Sequence, residues 1–188
     1  LYDLYREAHT PWDWHPKLFE KAHALGLTIF SSPFDLSAIE FLETLDVPAY
    51  KIASFEIVDL GLIEQAATTG KPLIISTGMA NLREISEAVG VAGKSQGGLI
   101  LLHCTSGYPT PVGETNLQTI TDMKRRFGVP VGLSDHTLGN SVATAAAAIG
   151  ASVIEKHITL ARSDGGPDAE FSLEPTEFTQ LCKDCRDA

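Results

Sequence analysis

Short apolar segments recur along the chain at regular distances. Their first residues lie 22 to 31 residues apart, which is the span of one β-strand, one α-helix and their loops. Each segment is apolar throughout and does not alternate with polar residues, which indicates a strand covered on both faces. The sequence therefore predicts six strands: Leu27–Ser32, Ala49–Ser54, Pro72–Thr77, Leu99–Thr105, Pro130–Asp135 and Ser152–Thr159.

Helical patterns, with apolar residues three or four positions apart, separate these strands. Asn81, followed three residues later by Glu84, predicts a capping box at the start of one helix. Gly128 predicts the end of another, because glycine readily adopts the left-handed conformation that closes a helix. Strands that alternate strictly with helices predict a parallel sheet.

Two parallel architectures fit this alternation: a doubly wound open sheet and a closed barrel. No Gly-x-Gly-x-x-Gly turn follows the first predicted strand, which argues against a dinucleotide-binding open sheet. Polar residues follow all six strands, and in a barrel such positions converge on one mouth. We therefore predict an α/β fold, a parallel (β/α)8 TIM barrel that is incomplete, with about six of its eight βα units. Residues 1–188 would form one partial catalytic domain, with two βα units missing upstream.

Composition excludes some classes of partner. The chain has 188 residues, 44% of them hydrophobic, and a net charge of −10. No basic stripe suited to nucleic acid is present, no apolar run is long enough to span a bilayer, and no signal peptide is visible. The three cysteines have no zinc-ribbon spacing and are expected to be reduced thiols, so we predict a cytoplasmic protein without nucleic-acid or membrane partners.

Two histidines lie at the ends of neighbouring predicted strands. His136 follows Asp135, and His157 lies within the sixth strand. Adjacent strands are about 4.8 Å apart, so histidines at matching depth are placed to share one divalent cation. Two protein ligands leave room for substrate, which suits a Lewis acid that polarises a carbonyl. The alternative is that each histidine is a hydrogen-bonded structural residue.

Lys51 lies inside an apolar strand, where a lysine is costly unless it is paired or binds an anion. It fits a cation for phosphate or carboxylate, a Schiff-base nucleophile, or a structural salt bridge. Small hydroxyl residues at successive strand ends favour a phosphate site: Ser32, Ser54, Ser76, Thr77 and Ser134, with Gly78 beside them. Lys51 and Ser54 would face opposite sides of a regular strand, so we expect Ser54 to lie where the strand has become loop.

Two carboxylates complete the candidate site. Glu56 lies two residues beyond Ser54, and Asp168 follows the turn Gly165–Pro167. Both carboxylates are suited to contact a polyhydroxylated substrate or to act in general acid–base catalysis.

Several strings of residues together carry a resemblance to a known family. They occur in this order: Phe30–Phe34, Tyr50–Glu56, Ser76–Met79, Leu102–Pro111, Gly132–Thr137 and Glu155–His157. With them, the chain closely resembles the N-acetylneuraminate (sialic acid) synthase family over nearly its whole length. The segment Thr10–His15 is more similar to the pseudaminic acid synthase branch.

The resemblance implies a (β/α)8 barrel followed by a small antifreeze-like domain that two chains of a homodimer exchange. It implies an enzyme that condenses phosphoenolpyruvate with an open-chain N-acetylated amino sugar, giving a nonulosonic acid and phosphate with C–O cleavage. A Mn²⁺ or Mg²⁺ ion would be held by His136 and His157. Phosphoenolpyruvate would be held by Lys51, Ser32, Ser54, Ser76 and Ser134, and the sugar would contact Glu56, Tyr108 and Asp168.

The resemblance also implies catalytic roles for two residues, and one residue departs from the pattern of the family. Lys51 and Glu56 would be catalytic, and Glu56 would be a candidate for proton transfer. Ser106 departs from the asparagine usual in sialic acid synthases. The antifreeze-like domain lies outside this chain, so we expect residues 1–188 alone to have little or no activity.

Two rival hypotheses remain: a Schiff-base pyruvate aldolase that uses Lys51, and a barrel module that binds sugar or phosphate without catalysis.

Overall fold

The computed structural model describes Arg6 and residues 9–188, in which helices and strands alternate. In chain order the longer elements are α1 His15–Ala24, α2 Leu36–Glu43, β1 Tyr50–Ile52, α3 Leu60–Thr68, β2 Leu73–Ser76, α4 Leu82–Ala92, β3 Leu99–Cys104, α5 Gln118–Phe127, β4 Val131–Asp135, α6 Ser141–Ala148, β5 Ile154–Lys156 and α7 Pro175–Asp187. Short 3₁₀ turns follow several strands, among them Ser54–Val58 after β1 and Ala169–Phe171 before α7.

The five strands form one parallel sheet in sequence order, from β1 at one edge to β5 at the other. The predicted strand at residues 27–32 does not join it as a strand. It contributes a single bridge, in which Ser31 pairs with Tyr50 and accepts a hydrogen bond from the Lys51 N–H at 3.4 Å. Pro33 follows and has no N–H to extend the ladder. The prediction of six strands was therefore wrong by one.

The sheet is curled into a half-barrel. In a flat sheet, β1 and β5 would lie about 19 Å apart, since neighbouring strands are spaced by about 4.8 Å. Instead, Lys51 Nζ on β1 lies 3.6 Å from Glu155 Oε2 on β5. Side chains from the two outermost strands therefore meet across the concave face. The α/β class and the parallel barrel architecture are confirmed.

The two faces of the sheet differ in chemistry. The main core lies between the convex face and the helices, and its strand residues are Tyr50, Ile52, Leu73, Ile75, Leu99, Leu101, Val131 and Leu133. Residues paired across parallel strands point to the same side, so Cys104, Ser134 and Glu155 share one rung of the concave face. Burial thus drives the helices onto one face and leaves the polar residues to line the other.

Local signals at the helix ends work as predicted. The Asn81 side chain accepts hydrogen bonds from the N–H groups of Arg83 and Glu84, and the Glu84 carboxylate accepts from the Asn81 N–H. This capping box begins α4. Gly128 ends α5 with φ at 65°, in the left-handed region that favours glycine. Among the described residues, no helix is both long and apolar enough to cross a bilayer.

Close approach of two strands requires glycine at position 132 in β4. A Cβ there would lie 2.2 Å from the Val153 carbonyl oxygen and 2.8 Å from Leu102 Cδ2. Gly132→Ala should lower the free energy of unfolding by about 3 kcal/mol, the upper part of the range for overpacking, because a backbone atom cannot move aside. Urea unfolding followed by circular dichroism measures this change.

Gly90, exposed within α4, provides the matched control. A Cβ there meets nothing within 4 Å. Gly90→Ala should raise the free energy of unfolding by about 0.5–1 kcal/mol, because alanine is the better helix former. Equal effects of the two substitutions would contradict the close strand contact at Gly132.

Candidate active site

Lys51 and Glu155 form the centre of a polar group on the concave face. Lys51, only 8% exposed, is ion-paired with Glu155, and its Nζ donates a hydrogen bond to the Ile52 carbonyl at 3.2 Å. The Ser134 hydroxyl donates to Glu155 Oε1 at 2.6 Å. Burial lowers the pKa of Lys51 below its ordinary value, and the nearby Glu155 carboxylate opposes that change. Lys51 is therefore a buried cation, and the carboxylate paired with it also accepts a hydrogen bond from Ser134.

Ser54 lies just past the end of β1, as expected from the side-chain alternation. It begins the 3₁₀ turn Ser54–Val58, so its side chain is freed from the strand pattern. Its Oγ accepts a hydrogen bond from the Gly78 N–H at 3.1 Å. This bond links the ends of β1 and β2 at the mouth of the half-barrel.

Gly78 lies in close contact with polar side chains of the strand ends. A Cβ there would lie 2.4 Å from Ser106 Oγ, 2.8 Å from Ser54 Oγ and 3.0 Å from Cys104 Sγ. Among the described residues, the buried hydroxyls of Ser76 and Ser106 have no hydrogen-bond partner. A buried hydroxyl without a partner is uncommon and indicates a place for water or ligand.

Glu56 also presents an unsatisfied group. Its Oε2 is buried and has no hydrogen-bond partner within the described part of the chain. Burial raises the pKa of Glu56, the Lys51 charge lowers it, and the Asp59 carboxylate raises it further. A carboxyl held in this way is suited to exchange a proton with a bound molecule.

The imidazole rings of His136 and His157 lie side by side, with centroids 5.2 Å apart. Nδ1 of His136 lies 3.3 Å from the Thr105 carbonyl oxygen, and Nδ1 of His157 lies 3.4 Å from Asp168 Oδ2. With these contacts on Nδ1, Nε2 is the nitrogen of each ring that remains to coordinate a cation. Burial lowers the pKa of His136 and thereby favours its neutral ring.

These two rings fit a divalent cation. A hydrogen bond on Nδ1 that orients the ring and leaves Nε2 free is the usual arrangement of a histidine ligand. Within residues 9–188, no third His, Cys, Asp or Glu joins them in a group that would hold a metal ion. The pair would thus supply two ligands, and other donors would have to complete the coordination sphere.

Aromatic and acidic side chains surround the histidine pair. The Tyr108 ring, half exposed, lies 4.3 Å from the His136 ring, centroid to centroid, and Phe171 lies 4.9 Å from His157. Asp168 reaches the same group through its contact with His157. The structure therefore brings both predicted sugar contacts, Tyr108 and Asp168, to the predicted metal ligands.

Ser32 lies at the margin of this site. It follows the bridge residue Ser31 and lines a cleft of about 360 Å³ beside Trp12 and Phe41, whose rings are stacked 4.6 Å apart. Its assignment as a phosphate ligand stays a prediction.

The comparisons with known proteins agree with this geometry. The model of the NeuB family matches residues 1–188. The chain belongs to the NeuB family. This finding confirms the resemblance to the sialic acid synthase family.

Named relatives of this NeuB-family chain are nonulosonic acid synthases. It is 47% identical to the pseudaminic acid synthase of Helicobacter pylori over 96% of the chain and 54% of that protein. It is 43% identical to the N,N'-diacetyllegionaminic acid synthase of Campylobacter jejuni over 92% of the chain and 52% of that protein. The chain thus spans about half the length of these curated relatives.

A solved structure shows the same fold. The N-acetylneuraminic acid synthetase of Leptospira borgpetersenii, crystallised in complex with citrate, superimposes with a TM-score of 0.95 at 35% identity. The match covers 98% of this NeuB-family chain and 65% of that structure.

Sequence reasoning missed some residues of this NeuB-family site. Glu155 is ion-paired with Lys51 and accepts a hydrogen bond from Ser134, but the sequence pattern alone assigned it no role. A signal was present, since Glu155 and His157 lie two residues apart and such residues face the same side of a strand. Cys104 was read as a buried thiol, but its Sγ lies 3.8 Å from His136 Nδ1. No sequence signal marks that contact, because it depends on the register of β3 and β4.

Proposed function

We propose that this chain carries the phosphoenolpyruvate site and the metal ligands of a nonulosonic acid synthase. The enzyme would condense phosphoenolpyruvate with an open-chain N-acetylated amino sugar and release phosphate. One observation carries the proposal: a buried lysine, ion-paired with a carboxylate that also accepts from a serine hydroxyl, lies on the same concave face as two adjacent imidazoles. Membership of the NeuB family supports it.

Lys51 and the strand-end hydroxyls would bind the anionic donor. The ammonium group is a point charge suited to phosphate or carboxylate. Ser134 shares the Glu155 carboxylate with Lys51, Ser54 follows β1, and the buried Ser76 hydroxyl has no hydrogen-bond partner among the described residues. Ser32, at the margin, would extend this set. An anion that enters this group would replace Glu155 as the principal partner of Lys51.

His136 and His157 would hold Mn²⁺ or Mg²⁺ through their Nε2 atoms. When bound there, the ion would polarise the carbonyl of the sugar aldehyde. The contacts of Nδ1 with the Thr105 carbonyl in His136 and with the Asp168 carboxylate in His157 would orient the two rings for such binding.

The remaining side chains would orient the sugar and move protons. Tyr108 and Asp168 flank the histidine pair, where they would contact hydroxyl or acylamino groups of the sugar. Carbon 3 of phosphoenolpyruvate forms the new bond to the aldehyde carbon, whose oxygen takes up a proton. Water adds at carbon 2, and phosphate leaves by C–O cleavage. Glu56, with its free and buried Oε2, would exchange the proton.

We infer that the sugar is of the pseudaminic type. The segment Thr10–His15 and the 47% identity to a pseudaminic acid synthase support this choice over the sialic acid type. The complete enzyme would be a cytoplasmic homodimer that includes an antifreeze-like domain, and its partners would be small-molecule substrates.

Metal dependence and phosphate release test this function against the aldolase alternative. Removal of divalent cations with a chelator should abolish turnover, and added Mn²⁺ should restore it. Each molecule of product should be accompanied by one phosphate, measured by a colorimetric phosphate assay.

The aldolase alternative makes the opposite forecast. It requires a Schiff base on Lys51, which borohydride would trap and mass spectrometry would locate. A borohydride adduct at Lys51 in a chelator-resistant enzyme would overturn the synthase proposal. Binding of sugar or phosphate without turnover in the intact protein would favour the non-catalytic module.

A further inference from the structure

A buried ion pair lies directly behind the two histidines. Lys156 Nζ is 2.7 Å from Asp135 Oδ2, and both side chains are 1% exposed. The two residues are partners in the register of β4 and β5. They lie on the convex side, two residues along each strand beyond the apolar pair Leu133 and Ile154.

This position is costly for charged groups. Two charges taken out of water are compensated only by good geometry and additional hydrogen bonds. An apolar pair at this position would extend the apolar pairing of Leu133 with Ile154, so the stability of the fold does not require the two charges. A charged pair there is therefore best explained by what it does to the residues that follow it.

The hydrogen bonds of the pair enclose His136. Asp135 Oδ1 accepts from the Thr137 N–H at 2.9 Å, and Lys156 Nζ donates to the Thr137 carbonyl oxygen as well as to Asp135. The residues on both sides of His136 are thus tied to Lys156. The next residue after Lys156 is His157.

We propose that Asp135 and Lys156 are positioning residues that set the separation of the two imidazoles. β5 has only three residues, and β4 is its only neighbour in the described sheet. Beyond the strand, the His157 carbonyl oxygen accepts a hydrogen bond from the Leu173 N–H at 2.9 Å, but this bond does not link His157 to β4. The ion pair adds a side-chain link at the last paired rung, so His157 keeps a fixed place relative to His136. This inference rests on the proposed metal site.

The test replaces the ion pair with an apolar pair of similar volume. Asp135→Leu with Lys156→Met removes both charges together, an exchange that buried ion pairs often tolerate without loss of stability. Asp135→Asn with Lys156→Gln serves as a second variant: it stays polar, but the shorter glutamine cannot reach both partners. Binding of Mn²⁺ alone is measured by electron paramagnetic resonance of the free ion, beside thermal unfolding of each protein.

Each folded double variant should bind Mn²⁺ about tenfold more weakly than the unaltered protein, a loss typical of residues that orient metal ligands. Ile63→Ala, a core substitution in α3, the helix that follows β1, is the control for lost stability and should leave Mn²⁺ affinity unchanged.

The outcomes distinguish a failure of the positioning role from a failure of the proposed metal site. If the unaltered protein binds Mn²⁺ and the folded double variants bind it equally well, the positioning role is wrong and the metal site stands. Weaker binding in Ile63→Ala as well would assign the effect to stability and also overturn the role. If the unaltered protein does not bind Mn²⁺, the metal site itself fails, and the inference fails with it.

Discussion

Replacing His136 with alanine should lower kcat by about three orders of magnitude in the intact enzyme while the protein stays folded. A Lewis acid contributes several kcal/mol to stabilising developing charge, and 4 kcal/mol corresponds to roughly a thousandfold in rate. With one of two protein ligands removed, the ion would be lost or misplaced. The His136 ring faces the concave site, and its hydrogen-bond contacts with the Thr105 carbonyl and the Cys104 thiol are both long, so the fold should survive.

Three measurements check this result. Steady-state kinetics give kcat, circular dichroism reports the fold, and Mn²⁺ titration reports the metal site. The control is His23→Ala, which changes an exposed histidine of α1 that packs edge-on against Phe19. Turnover in His136→Ala equal to that of the His23 control would remove the histidine pair from the mechanism.

Replacing Lys51 with methionine should raise KM for phosphoenolpyruvate about a hundredfold. The reason is the loss of a charge-assisted hydrogen bond in a buried site, worth roughly 1.5–3 kcal/mol. Methionine keeps most of the apolar stem of the side chain and removes only the charge. Lys71→Met is the matched control, since Lys71 is also largely buried and ion-paired, 2.8 Å from Glu43, but precedes β2 at the amino-terminal end of the sheet. An unchanged KM in Lys51→Met would exclude Lys51 from binding the donor.

The titration of Lys51 gives this prediction a pH signature. Binding of an anion needs the protonated lysine, which is present below its pKa in the folded protein and lost above it. Burial lowers that pKa below the ordinary value of 10.5, so affinity for phosphoenolpyruvate should decline at a lower pH than an ordinary lysine would give. Lys51→Arg, whose guanidinium stays charged, should abolish this alkaline decline. KM measured across the alkaline range distinguishes the two proteins.

The fold could be predicted from the sequence because its signals are local. Apolar runs located five strands, and the Asn81–Glu84 box and Gly128 marked helix ends. The segment at residues 27–32 has the same composition as a strand but forms only one bridge. Composition does not reveal how many ladder partners a segment finds, so this element was predicted wrongly.

The site was predictable to the extent that it lies at strand ends. Lys51, His136 and His157 were found from their positions after or within apolar runs, and the structure places the two histidine rings together. The contacts between distant elements were not predictable in this way. Glu155 meets Lys51 only because the sheet curls, and the Asp135–Lys156 pair depends on the register of two strands. Both are properties of tertiary geometry that periodicity does not encode.

The contact between Lys51 and Glu155 also bears on how the protein acquires its binding site. Their positions differ by 104 residues (155 minus 51), and four βα connections separate them. Contacts at such sequence separation form late in folding, since the entropy of closing the intervening chain must be overcome first. Single βα units can form earlier, but the pocket for the anion exists only once the sheet has curled and brought β1 towards β5. Affinity for phosphoenolpyruvate is therefore a sensitive report on complete folding, and partly folded chains should be unable to capture the donor.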